Sequence, residues 1–459
     1  MKMKIFLVFI ASVAFAANTH LYEVNGAETS GANRTKGPKA LFEKTSNPLS
    51  RKTAENNIYT AQDSISVPLK DSVVWLEMEK NTDYTICVDG SDKGLWKVKD
   101  FSYEKAGDCI QLKSGNYVKN GKIQYVTQIG HVVTFNLLVG MKYIDLTAKK
   151  HSLGTETVFE ASYNSKGERF YRDPIRSEEM NKILAVDKYK VTECEFVQML
   201  WDSIPAQANE MLSDNKNFWI EKKKMMRKGE TCYAHDSAAV RVDFYYAMAY
   251  ANLRSLRDGF KPVYSLVIAE KRFYGFREDG SFGVRNERFS VVDRFSVGSV
   301  HVNVDKEADG YRLPYNDEWM ALASAYTGRL DDASLKDDSS RTASIAWFGV
   351  VDSNDVWTKL DKNKYDDRMS LEHSCCQWRQ KSRPVGLLKP NGYGLYDIFG
   401  LVCERTMLPG KSIFNGETSI CKGGSLTSPR EDINKYTRCG DDGTNYKPFQ
   451  GLRLVRQIK

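Results

Sequence analysis

What this chain of 459 residues lacks narrows its function first. It has no Gly-x-Ser-x-Gly, no phosphate-binding loop and no dinucleotide fingerprint. The hydrolase elbow, the nucleotide cradle and the nicotinamide or flavin site are therefore set aside. Histidine is scarce: the six are His20, His131, His151, His235, His301 and His373, and no two stand at helical ligand spacing. There is no Cys-x-x-Cys and no Cys/His set at zinc spacing, which argues against a structural zinc. Strong charge of one sign is absent as well. The net charge of +7 falls to +5 once Lys2 and Lys4 are removed with a leader. The densest basic runs, Glu221–Lys228 and Arg379–Arg383, are short, and only Trp378 could offer a stacking ring beside the second. Solvated helix faces and loops account for them, so no nucleic-acid partner is expected. Beyond the first residues no apolar run is long enough to span a bilayer.

What is present begins with Met1-Lys-Met-Lys followed by the uncharged run Ile5–Ala16, closed by Ala14-Phe15-Ala16. A basic start, a short apolar stretch and a small-residue end predict a signal peptide over 1–17, cut after Ala16 or Ala17. No cysteine stands at the cut, so a lipid anchor is not expected. The mature protein is expected to be secreted or held in the cell envelope. All nine cysteines lie in the mature part, where disulfides are permitted, and the odd count leaves at least one thiol free. Cys87 and Cys109 bracket one loop and are the expected pair.

The texture changes three times along the chain. Residues 18–60 are polar and aperiodic, which predicts a flexible lead-in. From 61 to 138, short β-branched and aromatic runs such as Val73–Met78, Tyr84–Val88 and Val132–Leu138 alternate with Asp-Gly and Asn-Gly turns. This pattern predicts a small antiparallel β-sandwich, either a binding domain or a spacer. From 139 to 459 the pattern is mixed α+β. Thr192 stands three residues before Glu195, a capping-box spacing that opens a helix to Trp201. A helical apolar face runs from Phe244 to Leu256, and a third helix follows Pro314 with Asn316 as its expected cap.

Several segments of this second region occur in one order along its length. They are Met141–Asp145, Val186–Phe196, Ala239–Asn252, Tyr311-Arg-Leu-Pro-Tyr-Asn-Asp-Glu-Trp-Met-Ala321, Pro390–Gly400, Lys422-Gly-Gly-Ser425, Arg438 and Gly451-Leu-Arg-Leu-Val-Arg456. Together they resemble the formylglycine-generating (sulfatase-modifying factor) family, with the 311–321 run the most specific. The resemblance implies an α+β fold of the modified C-type-lectin-like kind. Its fold markers here are Arg312, Glu318, Trp319, Gly394, Gly424, Arg438 and Arg453. Arg312 and Glu318 are expected to form a buried pair that locks the helix after Pro314.

The resemblance also implies a chemistry, in which two cysteines downstream of the Gly-Gly-Ser step bind copper(I) and oxidise a substrate cysteine. The matching positions here are Ser428 and Ile433, and neither can supply the thiolate that copper(I) requires. Copper is therefore not expected, and the loop resembles the family's non-catalytic branch. Cys421 and Cys439 flank it as a candidate thiol pair, read as a disulfide, as inert thiols, or as a relocated metal pair. Calcium needs oxygen donors. At the family's calcium position Leu401 replaces an asparagine, and Glu404 remains as a calcium candidate. Asp352, Asn354 and Asp355 form a second candidate set, for which a solvated loop is the favoured reading. Vicinal Cys375 and Cys376 are read as ordinary thiols or as partners of other cysteines. Iron-dependent relatives of this fold use clustered histidines, which this chain does not have.

Three functions are compatible with these residues. The first is an exported, non-catalytic module that binds a glycan or a protein at the cell envelope. The second is an oxidase of the formylglycine-generating type with rearranged thiols. The third is a structural component of an envelope, secretion or gliding complex.

Overall fold

The computed structural model describes 71–147 apart from 88–92 and 108, then 176–208, 214–268 apart from 233–235, and 300–325. It also describes 344–348, 382–408, 419–426, 428, 433–439 and 449–459, with a few short strands between these stretches. Most of the expected leader and lead-in lies outside the described residues; Lys2–Ile5 is a short strand paired with Ile65–Pro68. Asp352, Asn354, Asp355, Cys375 and Cys376 also lie outside them.

The N-terminal region is a two-sheet sandwich. Its larger sheet has the order Ile58–Thr60, Ser72–Met78, Val132–Val139, Lys119–Val126 and Leu95–Val98. The smaller joins Asp83–Cys87, Cys109–Lys113 and Ser102–Ala106. Alternate residues point inward, so Val74, Leu76, Ile86, Ile110, Leu112, Ile123, Val133, Phe135 and Leu137 fill one core. Cys87 and Cys109 face each other in register and are disulfide-bonded, as expected. The wholly antiparallel expectation needs correction: Ser72–Met78 and Val132–Val139 are parallel. The chain leaves the first strand to build the smaller sheet and returns beside it, a crossover that short alternating runs do not announce.

The second region starts one residue after the sandwich's last long strand, at Gly140, whose φ of +66° suits a residue without Cβ. Met141–Asp145 pairs with Ile183–Asp187, which pairs in turn with Val455–Ile458, so the end of the chain closes on the start of the domain. A six-stranded sheet carries Ser419–Lys422 between Thr437–Cys439 and Cys403–Met407. Four helices are described: α1 (Glu193–Met199), α2 (Asp214–Lys224), α3 (Phe244–Arg257) and α4 (Asn316–Ala323).

The expected capping box opens α1: Thr192 Oγ1 accepts from the Glu195 backbone and Glu195 Oε2 from that of Thr192. Asp243 caps α3 through Tyr246 N. On α4 the cap is Tyr315 rather than Asn316, because Glu318 Oε2 reaches back to Tyr315 N. Lys222, Lys223 and Lys224, from the basic run Glu221–Lys228, fall in the last turn of α2, near the negative end of the helix. Apolar residues of α1, α2 and α3 share one core, including Phe196, Trp219, Tyr246 and Tyr250, while α4 contributes Trp319 and Leu322 to another. Among the described residues no helix is long and apolar enough to cross a membrane.

The two regions are tied together by buried and half-buried polar contacts. Lys80 Nζ lies 2.7 Å from Glu195 Oε1, the same carboxylate that closes the α1 cap. Glu77 receives Lys142 Nζ at 2.6 Å and Tyr143 N at 2.8 Å. Asn120 N donates to both Asp258 and Tyr311 Oη.

Candidate functional site

The region matching the family's chemistry is organised around the strand Cys403–Met407, all five residues of which are buried. Glu404 is at its centre and is wholly enclosed. Its Oε1 accepts from Lys190 Nζ at 2.7 Å and from Arg453 Nε at 2.9 Å, and its Oε2 from Trp319 Nε1 at 2.7 Å. Arg453 also donates to the carbonyls of Asp187, Lys188 and Tyr396. The cluster thus joins the α1 approach, α4, the central strand and the C-terminal strand. Burial alone would raise the Glu404 carboxyl, but Arg453 and Lys190 hold it below its usual value. Burial pushes the Lys190 ammonium down to about 8 against the pull of Glu404. Asp397, on the same side, is raised chiefly by burial, opposed by the hydrogen bond its Oδ2 accepts from Gly386 N at 2.6 Å.

Calcium does not fit this arrangement, and Glu404 is corrected from calcium candidate to ion-pair centre. Its oxygens already accept from N–H donors, and a lysine ammonium supplies the positive charge. The neighbouring asparagine position is hydrocarbon: Leu401 is fully buried with Val240, Val385, Val402 and Leu426. Its φ of +62° is a backbone geometry that asparagine tolerates better than leucine. Among the described residues no three His, Cys, Asp or Glu side chains converge as a metal site.

The positions of the family's cysteine pair do not fit copper either. Ser428 Oγ accepts from Ser425 N at 2.9 Å and lies 3.3 Å from Ser425 Oγ, closing a turn. Ile433 is 1% exposed and packs in the core with Trp319, Leu395 and Ile398. The pairing of Cys421 with Cys439 is also corrected. Those two residues are opposite each other in backbone register, but the Cys421 sulfur is bonded to Cys403 on the other neighbouring strand. A third disulfide, Cys194–Cys232, ties α1 to the loop after α2.

The remaining markers fall into place around this centre. Arg312 holds Glu318 through two hydrogen bonds of 2.6 and 2.8 Å, and Lys182 adds a third at 2.9 Å. Trp319 lies against Gly423, where a Cβ would meet the Ile398 carbonyl at 2.7 Å. Gly394 and Gly424 both have positive φ. Arg438 lies on Thr437–Cys439, paired through its backbone with Lys422 and Tyr171. Lys190 and Asp397 were not singled out from sequence. Lys190 carried no separate signal, since Lys188 stands two residues before it and nothing local tells the buried lysine from its neighbour.

Sheet, helices and buried charge centre together define an α+β domain of the sulfatase-modifying type. Residues 150–458 match the sulfatase-modifying factor enzyme 1-like domain, and the chain belongs to that family. It is similar to a chaperone protein LppX of Paenibacillus barcinonensis, 25% identical over 224 residues that make up 47% of this chain and 68% of that one. Among solved structures it is similar to Treponema denticola variable protein 1, at 17% identity and a TM-score of 0.41, covering 79% of this chain and 100% of that one. PvdO from Pseudomonas aeruginosa is similar at 15% identity and a TM-score of 0.36, covering 69% of this chain and 94% of that one.

Proposed function

We propose that this chain is an exported, non-catalytic member of its family that binds a ligand, a glycan or a protein, at the cell envelope. The observation that carries the reading is the state of the three residues nearest the family's thiol chemistry. Ser428 closes a turn, Ile433 is core, and Cys421 is held in a disulfide with Cys403. A rearranged thiol pair would need Cys421 free, which weighs against the oxidase reading. Export rests on the leader-like first seventeen residues and on disulfides that suit an oxidising compartment. The similarity to a protein named as a chaperone fits a role of binding without chemistry.

The test is an oxidase assay on the purified mature chain with copper(I) and a Cys-x-Pro-x-Arg peptide, read by mass spectrometry. No formylglycine above a copper-only blank supports the reading. Turnover above that blank overturns it. Stable co-purification with envelope proteins, without glycan binding, would favour a structural component instead.

A further inference from the structure

Between the two regions lies a cleft of about 630 Å³. Its floor is the outer face of the five-stranded sheet, the face opposite the sandwich core. Trp75, Asn136 and Lys122 form a row across three neighbouring strands, and Lys97 faces Gln124 at the edge. Its other wall is the end of α3 with the last residues of the chain, from Arg257 to Phe260 and from Arg456 to Lys459. Seven cationic side chains line it against two carboxylates, those of Asp100 and Asp258.

A lysine-rich solvent face is ordinary, but two side chains here are not explained by solvation. Asn120 is 4% exposed, lines the cleft, and has neither its amide nitrogen nor its amide oxygen bonded within the described protein. Arg456 is 8% exposed, with its guanidinium 4.2 Å over the Phe260 ring and its Nε unpartnered. Buried polar groups are normally satisfied, and orphans at the wall of a cleft indicate a missing partner. Burial lowers both the Arg456 guanidinium and the Lys119 ammonium, as befits cations short of counter-charge.

We infer that this inter-domain cleft binds an acidic oligosaccharide, one carrying sulfate or uronate groups. The cations are spread along a groove several residues long rather than gathered at one point, which suits repeated anionic groups better than a single phosphate. Asn120 supplies a donor and an acceptor for a sugar hydroxyl. The half-buried Trp75, packed on Tyr143 at 5.4 Å, offers an apolar face to a pyranose ring. This inference rests on the ligand-binding reading above and gives that ligand its chemistry.

The test is isothermal titration of the mature chain with a heparin-derived hexasaccharide, an oligogalacturonate hexamer and neutral maltohexaose, at low salt and at about 0.3 M salt. The expected result is binding of at least one acidic probe, none of the neutral one, and weakening with salt. Lys97→Glu with Lys122→Glu, both exposed, should lower that affinity roughly tenfold or more at an unchanged melting temperature. Lys224→Glu with Lys228→Glu, equal in charge change and neither lining the cleft, should leave it unaltered. Equal losses in the two double variants, or no loss in the first, would overturn the cleft assignment. Binding of maltohexaose alone would overturn the acidic ligand while leaving a glycan-binding module standing. Failure of both acidic probes overturns the inference, and the oxidase assay then judges the wider reading separately.

Discussion

Lys190 donates from Nζ to Glu404 Oε1 across 2.7 Å, and neither side chain reaches solvent. A lysine ammonium thus provides positive charge beside the position where the family resemblance implied a calcium ligand. The pair also connects the segment before α1 to the central strand of the domain.

The two partners should differ in what their loss costs. Glu404→Leu leaves the buried charges of Lys190 and Arg453 without their carboxylate, and breaking a buried pair in this way costs about 3–5 kcal/mol. Lys190→Met leaves Glu404 still bonded to Arg453 and Trp319, so it should cost clearly less. Urea unfolding of the two variants measures the order, and the reverse order would refute this account of the cluster.

Acid should act through Glu318. Burial would raise its carboxyl, but Arg312 and Lys182 hold it at about 2, against 4.5 for the free group. A carboxyl depressed in the folded state stabilises fully above about pH 4.5, and that stability is lost as pH falls from 4.5 toward 2. The expected contribution is on the order of 3 kcal/mol. Denaturant midpoints measured between pH 6 and 2 should fall less steeply for Glu318→Gln than for the natural chain. Parallel curves would contradict the assignment.

The disulfides give a direct check on the strand arrangement. Non-reducing peptide mapping should recover links 87–109, 194–232 and 403–421. A 421–439 link would instead restore the pairing that their adjacency in register invites. Cys194→Ser with Cys232→Ser should lower stability by about 2–4 kcal/mol, by freeing the unfolded chain around α1.

The sandwich should not behave as a loosely tethered spacer. Glu195→Ala removes the partner of buried Lys80 and half of the α1 capping box, and should cost about 3 kcal/mol or more. Lys80→Met with Glu195→Leu should be better tolerated than Glu195→Ala alone, because no buried charge is then left unpaired. Calorimetry should show one transition for the natural chain. Two well-separated transitions would mean that these contacts do not couple the regions.

Much of the architecture could be read before any coordinates. The Thr192–Glu195 spacing announced the α1 cap, the β-branched and aromatic runs Val73–Met78 and Val132–Leu138 announced strands of a sandwich, and Arg312 with Glu318 announced a buried pair. These features are local, or are set by period and charge, and the chain carries them in its order of residues. α2 was read only as a basic run, because its buried side, Trp219 and Ile220, is short and most of its surface is charged. The parallel pairing in the larger sheet was missed because direction depends on where the chain has been between two strands.

The sequence by itself determined the family, the α+β class of the second region, and the absence of thiols at Ser428 and Ile433. Residue identity suffices for each of these. Only the tertiary structure decided that Cys421 bonds Cys403, since register alone places cysteines on both neighbouring strands within its reach. It alone brought Lys190, Trp319, Glu404 and Arg453 together from segments up to 263 residues apart. It also set the basic sheet face against the chain's last residues, leaving the Asn120 amide and Arg456 Nε buried without a partner among the described residues at one cleft. Burial and partnership belong to the fold, and no spacing along the chain encodes them.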